Sequence, residues 1–339
     1  MDKIRDAYNA DIQNICVPNL EVLRDKNILI TGATGLIGGC LVDVLSIYAV
    51  EYNFHIYAGC RSRNKFQNRF ISENDHLHFV EIDVNYPLTG DIPYHYIIHA
   101  ASPANPSAYA SHPVEVMKSN IYGTVNLMEY GISHNLKKFL YISSGEVYGE
   151  GEGKKFSEKD SGYVDCTLPR SCYPSAKRAT ETLCACYATE YGVDVSIARP
   201  CHVYGPHFTE SDNRVYAQFI RNVLNDEDII MKSTGEQYRS WCYVVDCASA
   251  LLYILLKGEN GQAYNIADEN SCITIRELAE MIARIGGKHV IMQLPDDQEK
   301  RGYNPVKAST FDTTKLKGLG WNIKGNMEEK MQSSIETLK

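Results

Sequence analysis

Tryptophan is scarce in this sequence, with two in 339 residues, and nowhere do two of the eleven cysteines form a CxxC pair. Thiols scattered from Cys16 to Cys272, odd in number and without a repeated spacing, read as reduced cysteines. They form neither a disulfide framework nor a zinc knuckle. Cys184 and Cys186, two apart on an expected helix, point to different faces. The ten histidines show no HExxH spacing, so no metal site is expected. No apolar run approaches the ~20 residues of a membrane span. The first six residues, Met1-Asp2-Lys3-Ile4-Arg5-Asp6, lack an apolar signal segment, and a cytoplasmic protein is expected. Basic residues are outnumbered, 34 Lys and Arg against 42 Asp and Glu, a net charge of −8. That balance excludes nucleic acid or an anionic membrane as the main partner, because phosphates require a basic face.

What is present is an ordinary globular composition, 44% hydrophobic and 22% charged, enough for one or two domains with a core of their own. Tyrosine dominates the aromatics, at 23 residues. Residues 1–25 read as a helical lead-in. Short apolar runs at 27–31, 54–58, 77–82, 96–99, 139–143 and 193–198 then read as strands. Amphipathic stretches at 36–49, 113–134 and 175–191 read as helices between them. This alternation predicts an α/β fold, a Rossmann-type doubly wound parallel sheet over 26–206. Beyond Pro206 the pattern is irregular, with helices expected at 215–224, 245–256 and 275–285. Residues 207–339 are expected to form mainly a smaller, substrate-binding lobe, interleaved with the first.

The first strand runs into Thr31-Gly32-Ala33-Thr34-Gly35-Leu36-Ile37-Gly38-Gly39. Glycines at 32, 35 and 38 allow a sharp turn, close approach to a pyrophosphate and tight packing of the following helix. The amides of that helix, beginning at Leu36 and Ile37, aim at the anion. A strand before and a helix after make this a dinucleotide-binding turn rather than a chance triplet. At the end of the second strand, Cys60-Arg61-Ser62-Arg63 offers no acid to a ribose 2′-hydroxyl. Arg61 therefore favours NADP over NAD, with a solvated basic loop as the bland alternative. Asp83, at the end of the third strand, is either an adenine-side contact or a turn residue.

Tyr173 and Lys177 stand in a YxxxK spacing at a helix start, on one helical face. An ammonium there is expected to lower the phenol pKa, so that Tyr173 can accept a proton. Ser144 and Glu146 leave the fifth strand, where a doubly wound sheet places its crevice. Ser144 can bond the same reacting oxygen. Glu146 is a second acid/base candidate or a solvated loop carboxylate.

Taken together, the Gly32 turn, His99-Ala100-Ala101-Ser102, the Ser144 loop, Tyr173/Lys177 and Arg199…Tyr204-Gly205-Pro206 resemble the extended short-chain dehydrogenase/reductase family, over residues 26–338. The resemblance implies NAD or NADP as cofactor and a UDP- or other nucleotide-diphosphate sugar as substrate. It adds Ala100, Ala101 and Val203 to the cofactor site, with Lys177 reaching the nicotinamide ribose. His99 to Pro106, Tyr109, Lys118, Asn120, Arg214-Val215, Phe219-Ile220, the 235–246 segment and Asp296-Asp297…Lys300-Arg301 are similar to the UDP-glucuronate decarboxylases. That likeness implies substrate contacts from Ser102, Tyr109, Lys118, His202, Arg239 and Arg301. It also implies a homodimer built on the helices at 113–134 and 175–191, and a place in surface-polysaccharide precursor synthesis. Related 4-epimerases, 4,6-dehydratases and NADPH-dependent 4-keto-sugar reductases share much of the pattern. A non-catalytic dinucleotide sensor is the alternative from another class.

The sequence departs from the decarboxylase pattern at named positions. Ser144-Gly145-Glu146 stands for Thr-Ser-Glu, and the 4,6-dehydratases carry Thr-Asp-Glu there. His202 and Gln218 each replace an Asn. The Arg-x-Pro-Asp phosphate motif survives only as Arg301-Gly302-Tyr303-Asn304-Pro305.

Overall fold

The computed structural model describes residues 6–70, 73–293 and 306–339. Helix α1 (Asp6–Gln13) precedes a Rossmann-type succession: β1 (Asn27–Thr31), α2 (Leu36–Tyr52), β2 (His55–Cys60), α3 (Arg63–Phe70), β3 (Leu77–Glu81) and β4 (Tyr96–His99). There follow α4 (Pro106–Ser111), α5 (Pro113–Ser133), β5 (Lys138–Ile142), α6 (Cys172–Tyr191) and β6 (Val195–Pro200). Beyond them lie β7 (His202–Tyr204), α7 (Val215–Leu224), β8 (Ile229–Met231), β9 (Tyr238–Tyr243), α8 (Val244–Lys257) and β10 (Gln262–Ile266). The chain finishes with β11 (Asp268–Thr274), α9 (Ile275–Gly286), β12 (Val290–Met292), β13 (Ala308–Ser309), α10 (Thr314–Lys317) and α11 (Met327–Leu338).

Seven parallel strands form the main sheet in the order β10-β6-β5-β4-β1-β2-β3. Its centre is continuously apolar: Ile28, Leu29, Ile30, Ile97, Ile98, Phe139 and Leu140 are fully buried. Such runs belong to a parallel sheet covered by helices on both faces. The strand order reverses between β1 and β4, the position at whose carboxyl ends an open α/β sheet offers a ligand crevice. The seventh strand and the helix before it come from beyond residue 206. Helix α8 is apolar almost all round, so it is buried, packing on α2 and under β5 and β6.

A smaller sheet, β11-β9-β13 with β7 also paired to β9, is built from segments that follow β6. Parallel pairing sets His202 opposite Trp241 and Ala308 opposite Tyr238. The N-terminal helix docks on α2 and α11. Its Tyr8 donates to Asp43 at 2.7 Å, and Asp11 accepts from Tyr243 (2.8 Å) and Ser333 (2.7 Å). Among the described residues, no helix is long and apolar enough to cross a membrane.

Candidate active site

The glycine turn lies at the switch point of the sheet. Gly32 has a φ of +67°, a left-handed conformation that glycine adopts without strain. A Cβ on it would stand 2.8 Å from the Ala101 nitrogen and 2.9 Å from the Ala100 carbonyl, so the ends of β1 and β4 meet here. One on Gly38 would run into the Gly32 carbonyl, which is how helix α2 comes so close to the turn. Gly35 is the N-cap of α2, and no side chain caps it. The first-turn amides at Leu36 and Ile37 therefore have a backbone cradle and no competing side chain, which fits a dinucleotide pyrophosphate.

Around this turn, Arg61 is exposed at the end of β2, with no ion pair or hydrogen bond among the described residues. Its neighbours are spoken for: Arg63 pairs with Glu73 at 2.5 Å and Arg69 with Asp43. Asp83 closes a local turn, its Oδ1 accepting from the Asn85 amide (3.1 Å) and side chain (2.8 Å). Val203 is buried on β7.

Tyr173, Ser144 and Glu146 converge across the crevice. Ser144 caps a short 3-10 turn, Gly145–Tyr148, and its Oγ accepts from the Glu146 amide at 3.1 Å. It lies near enough to the Tyr173 phenol to pull that group's pKa downward. Lys177 lies one turn beyond Tyr173 on α6, its Nζ 5.6 Å from the Tyr173 ring centre and donating to the Ile142 carbonyl at 2.8 Å. The expected lowering of the Tyr173 pKa does not hold for the protein as described. Burial and the Glu146 carboxylate push it to about 12, against the pull of Ser144, Arg214 and Arg170. Burial likewise brings Lys177 down to about 7, so its ammonium is a weak counterweight.

Glu146 is not a freely solvated loop carboxylate. Arg170 grips it end-on, with both N–O distances at 3.0 Å. The Arg170 guanidinium sits 4.6 Å over the Tyr109 ring, which stacks on Tyr173 at 4.8 Å. A guanidinium, two aromatic rings and a carboxylate thus form one packed column beside the Ser144 hydroxyl. Arg170 was missed in the sequence. Its signal was its place just ahead of the YxxxK pair, but nothing local says that it reaches Glu146.

Beneath the column a buried network fixes the loop. Ser143 donates to Glu181 at 2.6 Å, and Arg199 pairs with Glu181 at 2.6 Å and bonds the Tyr148 hydroxyl at 3.0 Å. Arg178 donates to the Val147 (2.6 Å) and Gly162 (2.8 Å) carbonyls. Glu181 was also missed, although its i,i+4 spacing from Lys177 puts the two on one face of α6.

The remaining expected substrate residues divide. Ser102 donates to Asn120 at 3.0 Å, and Tyr109 is buried in the column. Arg239 is buried and gives its guanidinium to the carbonyls of Tyr238 (3.0 Å), Lys307 (3.1 Å) and Val306. Burial draws its pKa down to about 10, with Glu146 the opposing influence. His202 tilts over Trp241, with ring centres 5.3 Å apart, and burial with Arg239 and Arg214 brings it down to about 3, so it is neutral. Its Nδ1 has no partner among the described residues. Lys118 is exposed on α5, on a different face from Asn120, and joins none of these groups. Arg301 and the segment around it lie outside the described residues.

A reversed-order parallel sheet, a glycine cradle at its switch point and a Ser-Tyr-Lys set beside it define a dinucleotide-dependent enzyme of the Rossmann class. A model described as the NAD dependent epimerase/dehydratase family matches residues 28–267, and the chain belongs to that family. It is 31% identical to UDP-glucuronic acid decarboxylase 1 of Xenopus tropicalis, over 98% of this chain and 77% of the relative. UDP-glucuronic acid decarboxylase 6 of Arabidopsis thaliana is 32% identical over 90% of this chain and 86% of its own. Among solved structures, UDP-glucose 4-epimerase of Thermotoga maritima with UDP-glucose superposes with a TM-score of 0.77 at 26% identity, covering 92% of this chain and 98% of that one. The UDP-glucuronic acid 4-epimerase of Bacillus cereus, in complex with UDP-glucuronic acid and NAD, shares the fold with a TM-score of 0.78 at 22% identity, over 92% and 98%.

Proposed function

We propose that the protein decarboxylates a nucleotide-diphosphate glucuronate, through oxidation at sugar C4, decarboxylation and re-reduction. The observation that carries this is the Ser144–Tyr173–Glu146–Arg170 column, found in a chain whose curated relatives are named UDP-glucuronic acid decarboxylases.

In this reading the bound nicotinamide cofactor supplies reversible hydride acceptance, held by the Gly32–Gly38 turn, Ala100, Ala101, Val203 and Lys177. Tyr173, in its phenolate form, takes the C4 hydroxyl proton while the Ser144 hydroxyl donates to that oxygen; because burial holds the phenol at about 12, this step is favoured as pH rises. The C5 carboxylate then stands β to a C4 ketone. Its C–C electrons can delocalise onto the ketone oxygen as CO2 departs, and a proton arriving at C5 completes that step. Glu146, steadied by Arg170, is placed to position the sugar or hand over that proton. Arg239, whose two terminal nitrogens already serve backbone carbonyls, would reach the diphosphate only through its remaining N–H donors.

Exposed Arg61, with no acid beside it, supports NADP as the preferred cofactor. The same observation favours a second reading, an NADPH-dependent 4-keto-sugar reductase, in which the cofactor is consumed. Val114, Met117, Tyr122 and Ile132 expose apolar surface on α5, which supports a homodimer through α5 and α6.

The test is mass spectrometry of UDP-glucuronate incubated with the purified protein, with NAD and NADP supplied separately. Loss of CO2 from the sugar nucleotide is the expected result, with the faster rate in NADP. An unchanged UDP-glucuronate under both conditions would overturn the decarboxylase reading in favour of a reductase or another nucleotide sugar.

A further inference from the structure

Gly145 separates Ser144 from Glu146, and its backbone does not require glycine, since its φ is outside the left-handed region. What requires glycine is Phe311. A Cβ at 145 would lie 2.8 Å from Cε1 of the Phe311 ring and closer still to Cζ. That ring is buried with Val147, Tyr148, Phe156 and Ala267. Its backbone is fixed as well. The Phe311 amide donates to Ser240 Oγ at 3.2 Å, the Phe156 amide donates to Thr310 at 2.8 Å, and the Asp312 amide donates back to Phe156 at 2.9 Å. A few residues upstream, the carbonyls of Val306 and Lys307 receive the Arg239 guanidinium. One short stretch, 306–312, therefore touches both the Gly145 turn and Arg239.

We infer that Phe311 is a positioning residue of this active site. Its ring, seated in the notch left by Gly145, sets the spacing of Ser144 and Glu146 around Tyr173 and ties that spacing to Arg239. The ring also leaves no room for a side chain at 145. The acid and base groups of this turn are thus confined to Ser144 and Glu146, and the carboxyl of the Thr-Asp-Glu pattern has no place. The inference rests on the proposed roles of Ser144 and Glu146.

The test is a double-mutant cycle in the full chain, with turnover of UDP-glucuronate, melting temperature and a crystal structure of each variant. Phe311→Ala is expected to lower kcat about 10- to 100-fold, because a misplacement of ~1 Å can cost that much, with KM changed less than about threefold. Gly145→Ala, which forces the ring aside, is expected to lose as much. The double variant is expected to recover kcat relative to either single one, because the added methyl enters the space that the ring vacated. Phe311→Leu, which keeps apolar volume, serves if Phe311→Ala fails to fold, and it is expected to fall between wild type and alanine. Additive losses in the cycle, or a loss of melting temperature with unchanged kcat, would overturn the inference. A wild type inert toward UDP-glucuronate would instead remove the decarboxylase reading. The positioning claim would then be judged on the crystal structures, and Ser144 and Glu146 unmoved in Phe311→Ala would end it.

Discussion

At the scale of single residues, the site is governed by what burial does to charge. Tyr173 at about 12 and Lys177 at about 7 are both displaced toward their neutral forms. A lysine with a lowered folded pKa takes up fewer protons in the folded than in the unfolded chain between about 7 and its ordinary 10.5. Stability therefore rises with pH across that window, and the cost of the buried ammonium is fully present below it. Lys177→Met should remove this slope, so that denaturant midpoints of variant and wild type diverge most at pH 6 and approach each other by pH 10. A constant difference would show that Lys177 is not displaced. Tyr173→Phe should lower turnover at least ~10²-fold while leaving cofactor affinity within about threefold, measured by titration of cofactor fluorescence. Arg170→Met releases Glu146 from its bidentate hold and should cost about 10-fold or more in kcat, with partial recovery in Arg170→Lys, which keeps the charge but not the fork.

At the scale of elements, the glycine turn and the start of α2 make one device. Its three glycines are not equivalent. A Cβ on Gly35 would meet the Gly32 carbonyl oxygen at 3.3 Å, a contact that a small shift relieves, whereas one on Gly38 would collide with the Gly32 peptide itself. Gly38→Ala should therefore abolish dinucleotide binding, and Gly35→Ala should weaken it by a smaller factor, both read by calorimetric titration. Equal losses would mean that the helix can slide away from the turn. The extents of β1 and β4 and of α5 and α7 were legible in the sequence, because each is a local pattern of apolar residues bounded by turn signals. Helix α4 and the strands of the smaller sheet were not. Residues 106–111 and 268–274 have little periodicity of their own, and the strands β7, β9 and β13 exist only because distant segments pair.

At the scale of the whole molecule, the chain closes on itself. Asp11 near the start holds Tyr243 and Ser333, and α1 lies between α2 and α11. Asp11→Ala should leave the Tyr243 and Ser333 hydroxyls without their acceptor and cost about 1–3 kcal/mol, seen as a lower melting temperature with the cofactor site intact. The sequence alone determined what depends on near neighbours along the chain: the βα alternation, the glycine cradle, the Tyr173–Lys177 face and the absence of an acid beside Arg61. Tertiary structure alone decided that Arg170 would hold Glu146, that Tyr109 would stack on Tyr173, and that Phe311 would make glycine necessary at 145. These contacts join segments remote in sequence, and whether they form depends on how closely folded layers pack. Burial also reversed the expected Tyr173 shift, because the energetic cost of a buried charge is set by the surrounding protein and not by its neighbours in the sequence.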